Sequence, residues 1–428
     1  MKYLATIGMI GFGSIMFSYV GLPKATSLEY VTETTEEVVA QIDTVQNPTE
    51  IDAREVVLHT PLPVPLKAIY MTSCVVGTKD FRSRLVSLMD ETEINAVVID
   101  IKDYSGTISF PPESDAWKPA WQHARCGTSD MKAFVASLHE KDIFVIGRIT
   151  VFQDPFYAER QPELAVKKAS DGSVWHDHKG LSFIDVGARP YWDHIIELSR
   201  NAYMIGFDEL NFDYVRYPSD GNMKDIAFPY SVQSEYGNDK PANLEAFFAY
   251  LNEKLDDENL FSAVRHEGTG RASSTPWTSV DLFGMTTTNT DDLSIGQVQE
   301  RAVPYFDFVA PMVYPSHYPH DYLGLGDPNE NPYKVVYHAM KSGVDRVIAT
   351  TTSVAGFAHE RIGTSTPALY AKPAYTGDKF RTWIQDFDYG GDYDAIDVRN
   401  QIQASVDACV HSWMLWAPSN IYTREALQ

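Results

Sequence analysis

From residue 66 to the end of the chain, short apolar segments alternate with helical patterns, and this alternation constrains the fold more than any other feature. Strands are expected at residues 68–72, 95–102, 143–151, 207–215, 279–286, 306–314, 380–387 and 412–417. Helical spacing of apolar residues fits at 79–90, 129–141, 242–255, 295–303, 333–350 and 398–408. Strand followed by helix, repeated, is the signature of a parallel sheet wrapped in helices, and eight such units predict an α/β fold, a (β/α)8 TIM barrel. A doubly wound open sheet is the alternative, but no Gly-rich dinucleotide turn follows the first strand. The units take up about 350 residues, more than a typical barrel needs, so loop insertions are expected. They fall at 153–190, 220–241, 260–277 and 353–379, three of them on the side of the strand carboxyl ends.

The fourth strand carries an unusual load of charge. Residues 206–218 read Gly-Phe-Asp-Glu-Leu-Asn-Phe-Asp-Tyr-Val-Arg-Tyr-Pro. Leu210, Phe212 and Tyr214 alternate with Glu209, Asn211 and Asp213, so a period of two puts the polar set on the lumen face of a barrel and Asp208 on the other. Asp213 stands nearest the mouth, and Glu209 lies about 13 Å deeper by strand rise, too deep for catalysis and suited to a buried polar network. Arg216, just past the strand, is placed to pair with Asp213 or Asp220.

Other strands also end in polar residues. The second reads Val-Ile-Asp-Ile-Lys-Asp over 98–103, which puts Asp100 and Lys102 toward the lumen as a pair or a substrate contact, with Asp103 in the loop beyond. The third ends in Arg148, an expensive residue inside an apolar strand unless a carboxylate faces it. Asp213 on the neighbouring strand is the natural partner, and the arginine would hold that carboxylate ionised, as a nucleophile requires. Asp281 lies in the fifth strand, Tyr314 and His317 close the sixth, and Gln385 and Asp386 close the seventh. Rings beside paired acids suit a sugar cleft, although Trp383, Trp413 and Trp416 each fit a core position equally well.

Composition narrows the partners. With 44% apolar residues the chain supports a large core, and a net charge of −23 opposes nucleic acid or anionic lipid while leaving neutral sugars compatible. Three cysteines far apart permit at most one disulfide; three partly buried thiols are the simpler expectation. Residues 1–26 form an apolar export signal or single membrane anchor, with the run at 3–22 just long enough to span a bilayer. Residues 27–65 read as an acidic, Pro-ended linker, and 66–428 as the catalytic-type domain. Any membrane contact would pass through the first segment alone, and the rest would lie outside the cytoplasm. No cofactor or metal is expected: Trp175-His176-Asp177-His178 lacks a second ligand cluster, and no nucleophile elbow for Ser-His-Asp chemistry is present.

Five segments in order, 98–103, 146–154 (Ile-Gly-Arg-Ile-Thr-Val-Phe-Gln-Asp), 206–218, 309–318 (Val-Ala-Pro-Met-Val-Tyr-Pro-Ser-His-Tyr) and 383–387 (Trp-Ile-Gln-Asp-Phe), resemble a glycosyl hydrolase-like domain family of bacteria, related to amylase-like hydrolases. The resemblance spans residues 66–420. It implies a (β/α)8 barrel acting on an extracytoplasmic polysaccharide, with Asp213 as nucleophile, Arg148 steadying it, and an acid from a later strand. Asp281 or, less well, Asp386 matches that place, and no glutamate stands at those strand ends.

The expected chemistry is therefore glycosidic hydrolysis by two carboxylates, Asp213 with Asp281 or Asp103 as proton donor. The alternative is a non-catalytic glycan-binding barrel tethered to the cell envelope, and metal-dependent deacetylation is a third class.

Overall fold

The computed structural model describes residues 54–428; the apolar run at 3–22 and the acidic stretch to residue 53 lie outside the described residues. Eight parallel strands close into a barrel. In chain order they are β1 (Lys67–Met71), β2 (Ala96–Lys102), β3 (Phe144–Thr150), β4 (Glu209–Asp213), β5 (Trp277–Phe283), β6 (Phe308–Met312), β7 (Thr382–Gln385) and β8 (Trp413–Trp416). Each expected strand is present. The period of two separates two apolar layers. Ala68, Val98, Ile146 and Met414 fill the lumen, while Ile69, Val97, Val145, Leu210 and Phe212 meet the surrounding helices.

The longer helices are α1 (Lys79–Asp90), α2 (Met131–His139), α3 (Arg189–Met204), α4 (Lys240–Leu255), α5 (Pro332–Ile348) and α6 (Ala395–Asp407). Local signals start several of them. Asp394 and Asp397 form a capping box on α6, and Asp239 caps α4 by accepting from the Ala242 amide at 2.9 Å. The sequence reading passed over α3, whose first turn holds Pro190 and whose buried face includes Tyr191, Trp192 and Ile195. The helix expected at 295–303 shrinks to Gln299–Ala302.

Residues 54–65, expected as the end of the linker, pack on the barrel. Val56–Leu58 pairs in parallel with Arg265–Glu267 from the insertion at 260–277, so that insertion lies at the amino end of the strands and away from the mouth. A polar knot fixes it there. Asp208 is fully buried and accepts from the Thr60 and Val145 amides at 2.9 and 2.7 Å, from His59 Nδ1 at 3.1 Å and from His139 Nε2 at 3.0 Å. His59 Nε2 sits 2.9 Å from His266 Nδ1, and Tyr203 stacks on both imidazoles. Burial, followed by the neighbouring His59, pushes His266 down to about 4. A histidine depressed in the folded state stabilises fully above its unfolded value of about 6.5, and that contribution is lost as the pH falls from there toward 4. The urea midpoint should therefore drop between pH 7 and pH 4.5 by less in His266→Gln than in the wild type. An equal drop in both would remove His266 from the acid response.

Candidate active site

Strand alternation aims five polar side chains into the lumen at two adjoining levels. Asp100, Arg148 and Asn211 stand in register on β2, β3 and β4, and Asp213 pairs with Thr150 two residues nearer the mouth. Arg148 is the hub. Its Nη1 donates to Asp100 Oδ1 at 2.6 Å, its Nε donates to Asp213 Oδ2 at 3.1 Å, and its Nη2 donates to the same Asp213 oxygen. Asp281 Oδ2 lies 3.9 Å from that same Nε. Asp281 Oδ1 is held by Asn211 Nδ2 at 2.9 Å and Trp383 Nε1 at 2.7 Å, which leaves Oδ2 as the oxygen facing Arg148. Tyr70 donates its hydroxyl to Asp100 and stacks on Trp416 at 4.0 Å between ring centres, and the Arg148 guanidinium sits 5.1 Å from the Trp416 ring.

A guanidinium shared by three buried acids cannot satisfy them equally. Burial, then the charge of Asp213, raises Asp281 well above the ordinary carboxylate range, and Arg148 opposes this without overcoming it. Burial raises Asp100 to about 6, again against Arg148. Asp281, the member of the pair farther from the guanidinium, is therefore the one pushed toward its protonated form.

Above this floor lies a cavity of about 1190 Å³ whose lining comes from the carboxyl ends of β8, β1, β2, β3 and β4. Tyr70, Asp100, Arg148 and Trp416 form its base, and residues of the insertion at 153–190 form one wall. Cys74 and Cys126 also line it and are joined by a disulfide across 52 residues, which replaces the expected partly buried thiols; Cys409 is free and exposed. The pairing was hidden in the sequence because those 52 residues include β2, whose course around the barrel brings the two loops together.

A family model described as "Putative glycosyl hydrolase domain" matches residues 68–422, nearly the whole barrel. The chain belongs to that family. A hypothetical protein from Ruminiclostridium thermocellum is 32% identical over 46% of this chain and 95% of its own, with a TM-score of 0.38. The PgaB (BpsB) glycoside hydrolase domain from Bordetella bronchiseptica matches 87% of this chain and 97% of its own at 11% identity and a TM-score of 0.55. Alpha-L-fucosidase isoenzyme 2 from Paenibacillus thiaminolyticus matches 85% of this chain and 48% of its own at 11% identity and a TM-score of 0.51. At such identities the last two share the barrel fold alone. No curated protein sequence matched.

Within this glycosyl hydrolase barrel the remaining candidates take varied places. Lys102 is turned out of the lumen by a bulge between Asp100 and Lys102, which puts it level with the outward Ile149. It is fully buried there, donating to the Thr150 carbonyl at 2.6 Å and pairing with Asp154 at 3.1 Å. Asp103 lines the cavity but is tied to the Ser73 hydroxyl at 2.9 Å and the Ser105 amide at 2.9 Å, as a turn aspartate. Glu209 is locked at the lumen floor by Arg381, whose Nη1 reaches both carboxylate oxygens at 2.6 and 2.5 Å. Arg216 pairs with neither Asp213 nor Asp220; it donates to the Tyr217 carbonyl and the Ser219 hydroxyl at 3.1 Å and faces the cavity.

Around the sixth and seventh strands the candidates hold loops. Gln385 accepts from the Ser316 hydroxyl at 2.8 Å and donates to the Phe387 carbonyl at 3.0 Å. Asp386 accepts from the Thr423 amide and hydroxyl at 2.9 and 2.7 Å, anchoring the tail instead of facing substrate. Tyr314 is buried close to Asp281 and Asp213, whose charges add to burial in raising its hydroxyl well above the usual range. His317 is exposed and packs edge-on against Tyr314 at 5.3 Å. Tyr214 departs from the apolar face expected for it. With φ at 51° it ends the strand in the left-handed region, its amide donates to Asp213 Oδ1 at 2.5 Å, and its ring lines the cavity.

The reading from sequence missed Tyr70 and left Trp383 and Trp416 open between core and cleft; Trp383 is buried in the lumen core, and Trp416 lines the cavity. Lumen parity on β1, β7 and β8 was the available signal. An indole N–H, however, reveals its partner only when Asp281 is brought across the barrel.

Proposed function

We propose that this barrel hydrolyses a glycosidic bond of an extracytoplasmic polysaccharide with Asp213 and Asp281 as the working carboxylates. The observation carrying the assignment is the unequal approach of the two buried carboxylates to Arg148 Nε, 3.1 Å for Asp213 and 3.9 Å for Asp281. Asp281 Oδ2 gives a proton to the leaving glycosidic oxygen as the C–O bond breaks, Asp213 attacks or stabilises the anomeric carbon, and water supplies the new hydroxyl. Distances of 3.1 and 3.9 Å to one nitrogen bound the two oxygens at about 7 Å apart, a limit that admits both retention, near 5 Å, and inversion, from 6.5 Å. Trp416 and Tyr70 supply a stacking surface for the apolar face of a pyranose. The Cys74–Cys126 disulfide and the apolar run at residues 3–22 support export, by secretion behind a signal peptide or by a membrane anchor.

The test is the pH profile of reducing-end release from envelope and capsular glycans. Activity should fall as the pH rises through the elevated Asp281 value, because the acid loses its proton. Asp281→Asn should lower turnover by about 10²–10⁴-fold. On aryl glycosides whose leaving group needs no protonation, it should retain rate and lose the alkaline limb. An alkaline limb that persists in Asp281→Asn would move the acid role to Asp100, where the same substitution repeats the test. Glycan binding with no bond cleaved would leave a carbohydrate-binding barrel.

A further inference from the structure

The cavity carries more than its catalytic floor uses. Besides Arg148, three cations line it, Arg125, Lys179 and Arg216, and none of these three has a carboxylate within 4.0 Å among the described residues. This occurs in a chain with 58 acidic residues against 35 basic ones. Each is set on a braced loop. Arg125 precedes the cross-linked Cys126, and Lys179 rides a turn in which Asp177 Oδ1 accepts from the Lys179 and Leu181 amides at 2.9 and 2.8 Å. Arg216 is held by Tyr217 and Ser219 and lies 4.9 Å from the Tyr214 ring. Tyr104, Phe156 and Tyr214 add rings to the cavity lining.

We infer that the cleft takes an acidic polysaccharide, one whose sugars carry carboxylates that Arg125, Lys179 and Arg216 receive beyond the cleavage point. This rests on the glycoside hydrolase reading and names the substrate class for it. Asp103, Asp177, Glu159 and Asp220 also line the cavity, and none of the four has an ion-pair partner among the described residues. The wall therefore carries both signs and fits a chain with carboxylates set apart, whereas a dense polyanion would meet repulsion at Asp103, Asp177, Glu159 and Asp220. A guanidinium or ammonium held ready on a fixed loop meets a carboxylate through charge-assisted hydrogen bonds, and rings between them stack on the sugar faces.

The experiment is calorimetric binding of oligomers of polygalacturonate, alginate and hyaluronate, each beside its carboxyl-reduced form, to the wild-type protein and to Asp213→Asn. At least one acidic oligomer should bind, and its carboxyl-reduced form should bind about tenfold more weakly or worse. Arg125→Gln and Lys179→Gln should each weaken it by about three- to tenfold and flatten its salt dependence, while Lys341→Gln, which changes a helix cation outside the cavity, leaves affinity unchanged. Failure of every acidic oligomer to bind, equal binding of the reduced forms, or unaltered affinity in the two variants would overturn the inference. Binding is read without turnover. Carboxylate preference without cleavage would therefore remove the hydrolase reading alone, and cleavage of neutral glycans without that preference would remove this inference alone.

Discussion

Asp213→Asn is expected to lower kcat by about 10³-fold or more on any glycan the wild type cleaves, with little change in KM. The substitution keeps the side chain's volume and its place at the end of β4 but removes the carboxylate that accepts both Arg148 donors. It also removes the second of the two causes that push Asp281 toward its protonated form, so the alkaline limb of any residual activity should shift to lower pH. If the reaction retains configuration, added azide should rescue the variant with formation of a glycosyl azide, because a small anion takes the place of the missing nucleophile. Wild-type turnover in Asp213→Asn would end the assignment, and the pair Asp100–Asp281 would then have to carry the chemistry.

The largest stability effect is expected at the opposite end of the lumen. Arg381→Met leaves Glu209 charged, fully buried and without its partner, and should cost about 3–5 kcal/mol in denaturant unfolding. The double variant Arg381→Met/Glu209→Gln should recover most of that loss, since the penalty comes from an uncompensated charge and the ion pair itself adds little net stability. The guanidinium also lies 3.6 Å from the Phe308 ring centre, so methionine keeps the contact with that ring while removing the charge. Because Glu209 lies about 13 Å below Asp213, kcat and KM of the folded variant should stay near wild type. A single variant as stable as the wild type would show that Glu209 finds relief elsewhere, by protonation or by water.

The barrel was readable because its signal repeats. Each strand carries the same alternation of lumen and outer residues, and eight repetitions reinforce one another even where a single strand is ambiguous. The site was readable in part for the same reason: parity placed Asp100, Asn211 and Asp213 on the lumen face, and the cost of a charge in an apolar strand paired Arg148 with Asp213 before any contact was known. Parity failed where the backbone broke its own period. The bulge after Asp100 sends Lys102 to the helix layer, and the left-handed Tyr214 turns a ring expected on the outer face into the cleft. Helix α3, 16 residues long, was passed over because it follows an insertion rich in turns.

Partnerships across the barrel were beyond reach. Glu209 and Arg381 are 172 residues apart, Trp383 and Asp281 are 102 apart, and Cys74 and Cys126 join loops on either side of β2. The sequence by itself determined the order of the strands, the side of each that faces the lumen and the polar residues available there, because these follow from local periodicity. Only the tertiary structure decided which acid is pushed toward its protonated form and which cations stand free in the cleft. Those properties depend on burial and on distances of a few ångströms between residues that the chain separates and the closed barrel brings together.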